Sequence, residues 1–184
     1  MSSRRRYIVI YDRATTNPFS TLMSLILFCA IITIPRLIAI TADKSPEGAL
    51  KAGYSSLGDT HGGPALQEFQ KAESMPRITN RQRVKIHLGK ALANQRALEI
   101  VHSARPIILE GAINQEQTMR ELNKNEKMAS DMIARDVDKA LVYSQKAGLG
   151  ECSRALKAIK NSFGNTEKDT WKKLLSASKP CRDS

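Results

Sequence analysis

Apolar residues recur at spacings of three and four from Asn80 onward, and this period predicts α-helices. A first long helix is expected over residues 80–104, because Asn80 suits an N-cap and Pro106 should interrupt the pattern. A second is expected over residues 106–147, since a proline in the first turn loses no helical hydrogen bond. We therefore predict an all-α fold.

The second long helix combines an apolar stripe with opposite charges four residues apart, such as Glu116 with Arg120 and Lys127 with Asp131. At about forty residues it is long for a globular helix, which favours packing of the coiled-coil kind. We therefore expect this helix to offer a surface to a protein partner. The stripe consists of Met119, Leu122, Ala129, Ile133, Val137, Ala140 and Leu141.

Two shorter helices are expected after a glycine C-cap at Gly148, one over residues 151–163 and one over residues 166–178. Their short connection predicts an antiparallel hairpin. Cys152 and Cys181 should then lie at its open end, close enough for a disulfide, with a Cα separation of ~5.5–6 Å. In a reducing compartment the alternative is two unpaired thiols.

The N-terminal 42 residues contain an apolar run at 19–34, preceded by four arginines and followed by the polar stretch DKSPEG. Two interpretations fit this order. The run is either the core of a long signal peptide, cleaved after Ala39 or Ala42, or an uncleaved anchor that enters the membrane through residues 19–40. A third interpretation is a buried helix of a soluble protein.

Basic residues before an apolar run stay on the cytoplasmic side of a membrane. The arginines Arg4, Arg5, Arg6 and Arg13 therefore predict a cytoplasmic N-terminus and a domain on the extracytoplasmic side, in the periplasm or outside the cell. An arginine-rich leader also suits the mitochondrial inner membrane. In either location, residues 80–184 are expected to form the helical domain.

Residues 43–79 are rich in glycine, serine and proline, which favours a linker with short helical turns. The stretch Gly58-Asp59-Thr60-His61-Gly62-Gly63 resembles a phosphate-binding loop in composition only. It lacks the spaced lysine and the preceding strand that such a loop needs.

The net charge of +11 is concentrated in part around the first long helix, where residues 77–106 hold seven basic residues against Glu99. The general expectation for such a surface is a solvated charged face. A sharper hypothesis is contact with anionic lipid or another anionic envelope surface. Nucleic acid is disfavoured because export separates it from the protein and few aromatic residues are present to stack on bases. The hypothesis of an anionic-surface site rests on Arg77, Arg81, Arg83, Lys85, Lys90 and Arg96.

Catalysis and metal binding need clustered side chains, and the histidines are dispersed in the sequence. His87 and His102 would lie about 22 Å apart along one helix, too far to share a metal. We therefore predict no metal, no cofactor and no enzymatic activity. The expected function is binding, as an interaction or assembly component of a cell envelope. The alternatives are a soluble basic protein that binds nucleic acid and, third, an enzyme of unidentified reaction.

Overall fold

The computed structural model describes residues 45–58 and 62–184. These residues form helices and no strand, as the sequence predicts. The apolar run at 19–34 lies outside the described residues, as does His61. The helices are α1 (Pro46–Ser56), α2 (Gly63–Ser74), α3 (Asn80–Glu110), α4 (Gln115–Lys146), α5 (Gly150–Ile159), α6 (Thr170–Ala177) and α7 (Lys179–Arg182), with a 3₁₀ turn at Lys160–Ser162 between α5 and α6.

Helices α3 and α4 form an antiparallel hairpin that organises the molecule. Arg83 near the start of α3 stacks on Tyr143 near the end of α4, and Arg105 near the end of α3 pairs with Glu126. We call the end with the connection 111–114 the closed end, and the end with the start of α3 and the end of α4 the open end. With 31 residues, α3 is about 46 Å long at 1.5 Å per residue.

The expected break at Pro106 is wrong: α3 continues through this proline to Glu110. Only the carbonyl of His102, four residues earlier, loses its helical N–H partner, and His102 is exposed to solvent. The chain turns instead at Gly111, and α4 begins after Asn114, whose side chain accepts a hydrogen bond from the Gln117 amide. At the start of α3 the N-cap is Thr79 rather than Asn80, in a capping box with Gln82.

The region interpreted as a linker contains α1 and α2, and both pack into the core against α3. Phe69 of α2 is fully buried at the centre of this packing. A Cβ atom at Gly53 or Gly89 would come within 2.7 or 2.3 Å of the Phe69 ring. The glycines that suggest interruption in the sequence therefore leave the space that the ring fills.

The predicted disulfide between Cys152 and Cys181 is confirmed, with the two Cα atoms 4.5 Å apart. The helices around it begin and end elsewhere than expected. The helix expected over residues 151–163 is α5, which ends at Ile159. The helix expected over residues 166–178 is α6, which begins at Thr170. Cys181 lies in the separate short helix α7, which packs against α5. Both cysteines are buried.

The main core lies between α1, α2, the first half of α3, the end of α4 and the C-terminal helices. A second cluster joins Ala91 and Leu98 of α3 to Ile133 and Val137 of α4. Toward the closed end a third cluster contains residues of α3 and α4 alone, Val101, Ile108 and Leu122 with Ala104 and Leu109. Within the ranges 45–58 and 62–184, no helix combines the length and apolar character needed to cross a membrane.

Candidate functional site

A buried group of charged side chains lies where α2, α3 and α4 meet. His87 Nδ1 is 2.9 Å from Asp136 Oδ1, and because a carboxylate only accepts, this nitrogen donates. Lys90 Nζ lies 2.9 Å from Glu73 Oε2 and 3.7 Å from Asp136 Oδ1. His87 and Asp136 are almost completely buried, so the group ties the three helices together from within.

The His87 ring is held by contacts to one of its faces and to both of its nitrogens. Tyr143 stacks on it with the ring centroids 5.6 Å apart and the planes nearly parallel. Its Nε2 faces Glu73 at 3.8 Å, so both ring nitrogens point at carboxylates. Among the described side chains, no group of three or more histidine, cysteine, aspartate or glutamate residues is placed to hold a metal ion.

A second buried polar pair holds the C-terminal segment on α3. Gln95 donates to the Asn165 carbonyl at 2.6 Å and accepts from the Gly164 amide at 2.7 Å. Glu99 accepts from the Trp171 amide at 2.7 Å and so caps α6 from another helix. These partners of Gln95 lie about seventy residues away in the sequence.

The six basic residues assigned to an anionic-surface site do not share one face. Lys90 belongs to the buried charged group, and Arg96 stacks 4.3 Å above the Trp171 ring and donates to the Gly58 carbonyl. Arg77 and Arg81 are exposed. The remaining two, Arg83 and Lys85, are half-buried in the first turns of α3.

Basic residues from three other positions join Arg83 and Lys85 at the open end. Lys146 and Arg83 both approach the Tyr143 ring, at 5.6 and 5.4 Å from its centroid. Arg182 of α7 lies 5.8 Å from the Tyr54 ring, whose hydroxyl donates to the Lys85 carbonyl at 2.7 Å. Burial raises the pKa of the Tyr54 hydroxyl, so this donor stays protonated at neutral pH.

Lys179 also belongs to the open end. It lines an open cleft of about 440 Å³ together with Gly150, which follows the end of α4 by four residues. Glu151 and Asp183 line the same cleft, so its charge is mixed. We define the basic end by its cationic side chains, Arg77, Arg81, Arg83, Lys85, Lys146, Lys179 and Arg182. Sequence reasoning missed the last three because they belong to other helices.

The closed end of the hairpin has the opposite character. We define the tip as residues 100–128, which carry four basic and four acidic residues, while the rest of the described chain carries nineteen basic and eleven acidic. Two isoleucines of the tip, Ile107 and Ile113, are 68% and 73% exposed. Met128 is 42% exposed, so apolar surface accumulates where the net charge is zero.

Comparisons of the chain with protein-family models, curated proteins and solved structures gave no match.

Proposed function

We propose that this chain is a membrane-anchored or exported interaction protein, a component of a cell envelope that binds another protein through the tip of the α3–α4 hairpin. The exposure of Ile107 and Ile113 at the closed end carries this proposal. Burying an isoleucine side chain contributes about 1.5–3 kcal/mol, so the two residues supply a strong contact when a partner covers them.

The packing of the tip supports its role as a contact surface. Beyond Leu98 the apolar cluster of α3 involves α4 alone, so the other helices leave the tip uncovered. The last eleven residues of α3, from Ile100 to Glu110, extend about 16 Å along the helix. An apolar helical surface that projects from its domain suits insertion into a groove of another protein.

The charge of the tip defines the chemistry of the partner. With equal numbers of basic and acidic residues, the tip neither attracts nor repels a charged surface over long range. The partner is therefore a protein whose contact surface is apolar at its centre and weakly charged around it. The strongly basic remainder of the domain is less suited to that partner.

The membrane part of the proposal depends on the sequence of residues 1–42. Four arginines precede the apolar run at 19–34, the order required of a signal or anchor segment with a cytoplasmic N-terminus. A reporter that is active only after export, fused after Ser184, should be active. Activity of only a cytoplasmic reporter would contradict this topology.

The tip is tested with a photo-cross-linking residue at Gln115, which is exposed at the start of α4. In cells that produce the protein, we expect a discrete adduct that disappears in the double variant Ile107→Ser, Ile113→Ser. The control is Val142→Ser, because Val142 is 46% exposed but lies on α4 outside the tip. An adduct that persists in the double variant, or no adduct at all, contradicts the proposal.

A further inference from the structure

The first described residues of the chain lie at the basic end. Glu47, in the first turn of α1, accepts a hydrogen bond from Gln82 at the start of α3, at 3.0 Å. The chain therefore enters the domain beside the open end of the hairpin. The segment that precedes Ser45 in the sequence is the one that contains the apolar run.

The length of chain between that run and the domain limits their separation. From Ile40, the last residue of the proposed anchor, to Ser45 there are five peptide steps. A fully extended chain covers at most ~3.6 Å per residue, so these two Cα atoms lie no more than about 18 Å apart. A domain held this closely to a bilayer must turn one of its surfaces toward it.

The charges at the basic end match an anionic bilayer. Seven cationic residues belong to the basic end, from α3, α4, α7 and the turn before α3, together with the acidic residues Glu47, Glu151 and Asp183. Charges act on each other over a Debye length of about 8 Å at physiological salt. The tether is short enough for residues beside the attachment point to come within that range of the headgroups, whereas the tip is about 46 Å away along α3.

We propose that the basic end lies against anionic phospholipid headgroups of the membrane that holds the N-terminal segment. This orientation rests on the membrane-anchored form of the proposed function. It directs the hairpin away from the bilayer and presents the tip to its partner at a distance set by the length of α3. The exposed cations Arg81, Lys146 and Lys179 make the contact, while Arg83 and Arg182 also stack on tyrosines within the domain.

The test measures the height of the domain above the bilayer in the full chain, reconstituted into vesicles. In a Cys29→Ser background the other two cysteines are disulfide-bonded, so one added cysteine takes one dye. Dyes are attached at Gln145→Cys, at the open end, or at Gln115→Cys, at the tip. Energy transfer to acceptor lipids then reports the height of each dye.

In vesicles containing phosphatidylglycerol at low salt, we expect the Gln145 dye close to the headgroups and the Gln115 dye roughly 45 Å higher. In pure phosphatidylcholine, or in high salt, the two heights should converge as the domain reorients. The triple variant Arg81→Gln, Lys146→Gln, Lys179→Gln should behave likewise, since each cation contributes about fivefold to surface association.

The matched control removes the same charge elsewhere, with Lys124→Gln, Lys157→Gln and Lys168→Gln, all at exposed positions. This variant should keep the heights of the unsubstituted chain. If both triple variants change the heights equally, or if lipid charge has no effect on a chain that resists carbonate extraction, the orientation is overturned and the membrane anchor stands. If carbonate extracts the chain, the anchor itself is overturned.

Discussion

Individual residues of this domain contribute very differently to its stability, and Asp136 and Asp138 illustrate the range. Asp136 is 1% exposed and contacts His87 and Lys90, whereas Asp138 is exposed and pairs with Lys160 at the surface. Removing one partner of a buried pair leaves the others desolvated and uncompensated. A surface pair exchanges one partner for water at little cost.

We expect Asp136→Ala to lower the free energy of unfolding by about 3 kcal/mol. Asp138→Ala, two residues along the same helix, should lower it by no more than about 1 kcal/mol. Urea denaturation followed by circular dichroism measures both. Equal effects of the two substitutions would show that the charged group between α2, α3 and α4 does not stabilise the fold.

Gly89 is required by the ring of Phe69 rather than by its own backbone. A Cβ atom there would lie 2.3 Å from the ring, inside contact distance. We expect Gly89→Ala to destabilise the protein by about 1–3 kcal/mol through overpacking. Gly150→Ala is the control, because no atom lies within 4 Å of its Cβ position.

A double variant separates crowding from helix propensity at Gly89. Combined with Phe69→Leu, which leaves space beside the helix, Gly89→Ala should cost less than it does alone. Thermal or urea unfolding of the four chains gives the coupling free energy. Strict additivity would mean that the ring and the glycine do not constrain each other.

At the scale of helices, the disulfide joins elements that are too short to be stable alone. Helices α5, α6 and α7 contain ten, eight and four residues, below the length at which isolated helices persist in water. A link between positions 29 residues apart in the sequence restricts the unfolded chain. The chain-entropy model assigns this restriction about 3.5 kcal/mol.

The double variant Cys152→Ala, Cys181→Ala should therefore lose about 3.5 kcal/mol of stability. Removing both cysteines avoids a new unpaired thiol. Limited proteolysis should cut the variant first within residues 150–184, while the α3–α4 hairpin stays protected. Unchanged stability would contradict the role of the bridge, as would first cleavage elsewhere.

The sequence predicts helices where helical periodicity is strong, and it predicts the disulfide because spacing and turn residues limit the geometry. It does not explain why glycine occupies positions 53 and 89 inside helices, because the Phe69 ring that needs this space belongs to another helix, α2. The predicted break at Pro106 is wrong, because the loss of one solvent-side hydrogen bond does not outweigh the packing of α3 on α4.

The candidate surfaces show the same limit. Arg81 could be assigned from sequence, because it is exposed near a helix start. The internal pairing of Lys90 depends on Asp136, 46 positions away, and therefore on the register between two helices. Lys146 and Arg182 belong to α4 and α7, so only the tertiary fold places them at the basic end.

At the scale of the whole molecule, stability is distributed unevenly along the hairpin. The main core unites seven helices, whereas the tip has three buried apolar residues from two helices. Local opening is easiest where few buried contacts resist it. The tip should therefore open without unfolding the rest of the domain.

Hydrogen exchange followed by mass spectrometry tests this distribution. Amides of residues 103–126 should exchange at least tenfold faster than those of residues 84–98 and 133–144, which lie in the same two helices. Uniform protection along α3 and α4 would show that the hairpin opens only as one unit. Covering the tip with its partner should slow exchange there first.

The hydrogen bonds of Gln95 and Glu99 to residues 164–171 also have a consequence for the order of folding. Contacts between α3 and α4 near their connection join residues close in the sequence and can form early. The hydrogen bonds of Gln95 and Glu99 can form only when the last part of the chain is available. Until then, the side chains of Gln95 and Glu99 are hydrated, although they lie on a face of α3 that is buried in the folded domain. A chain that ends before Gly164 would have to bury them without partners or leave that face open, so these two residues make completion of the C-terminus a condition for closing the domain.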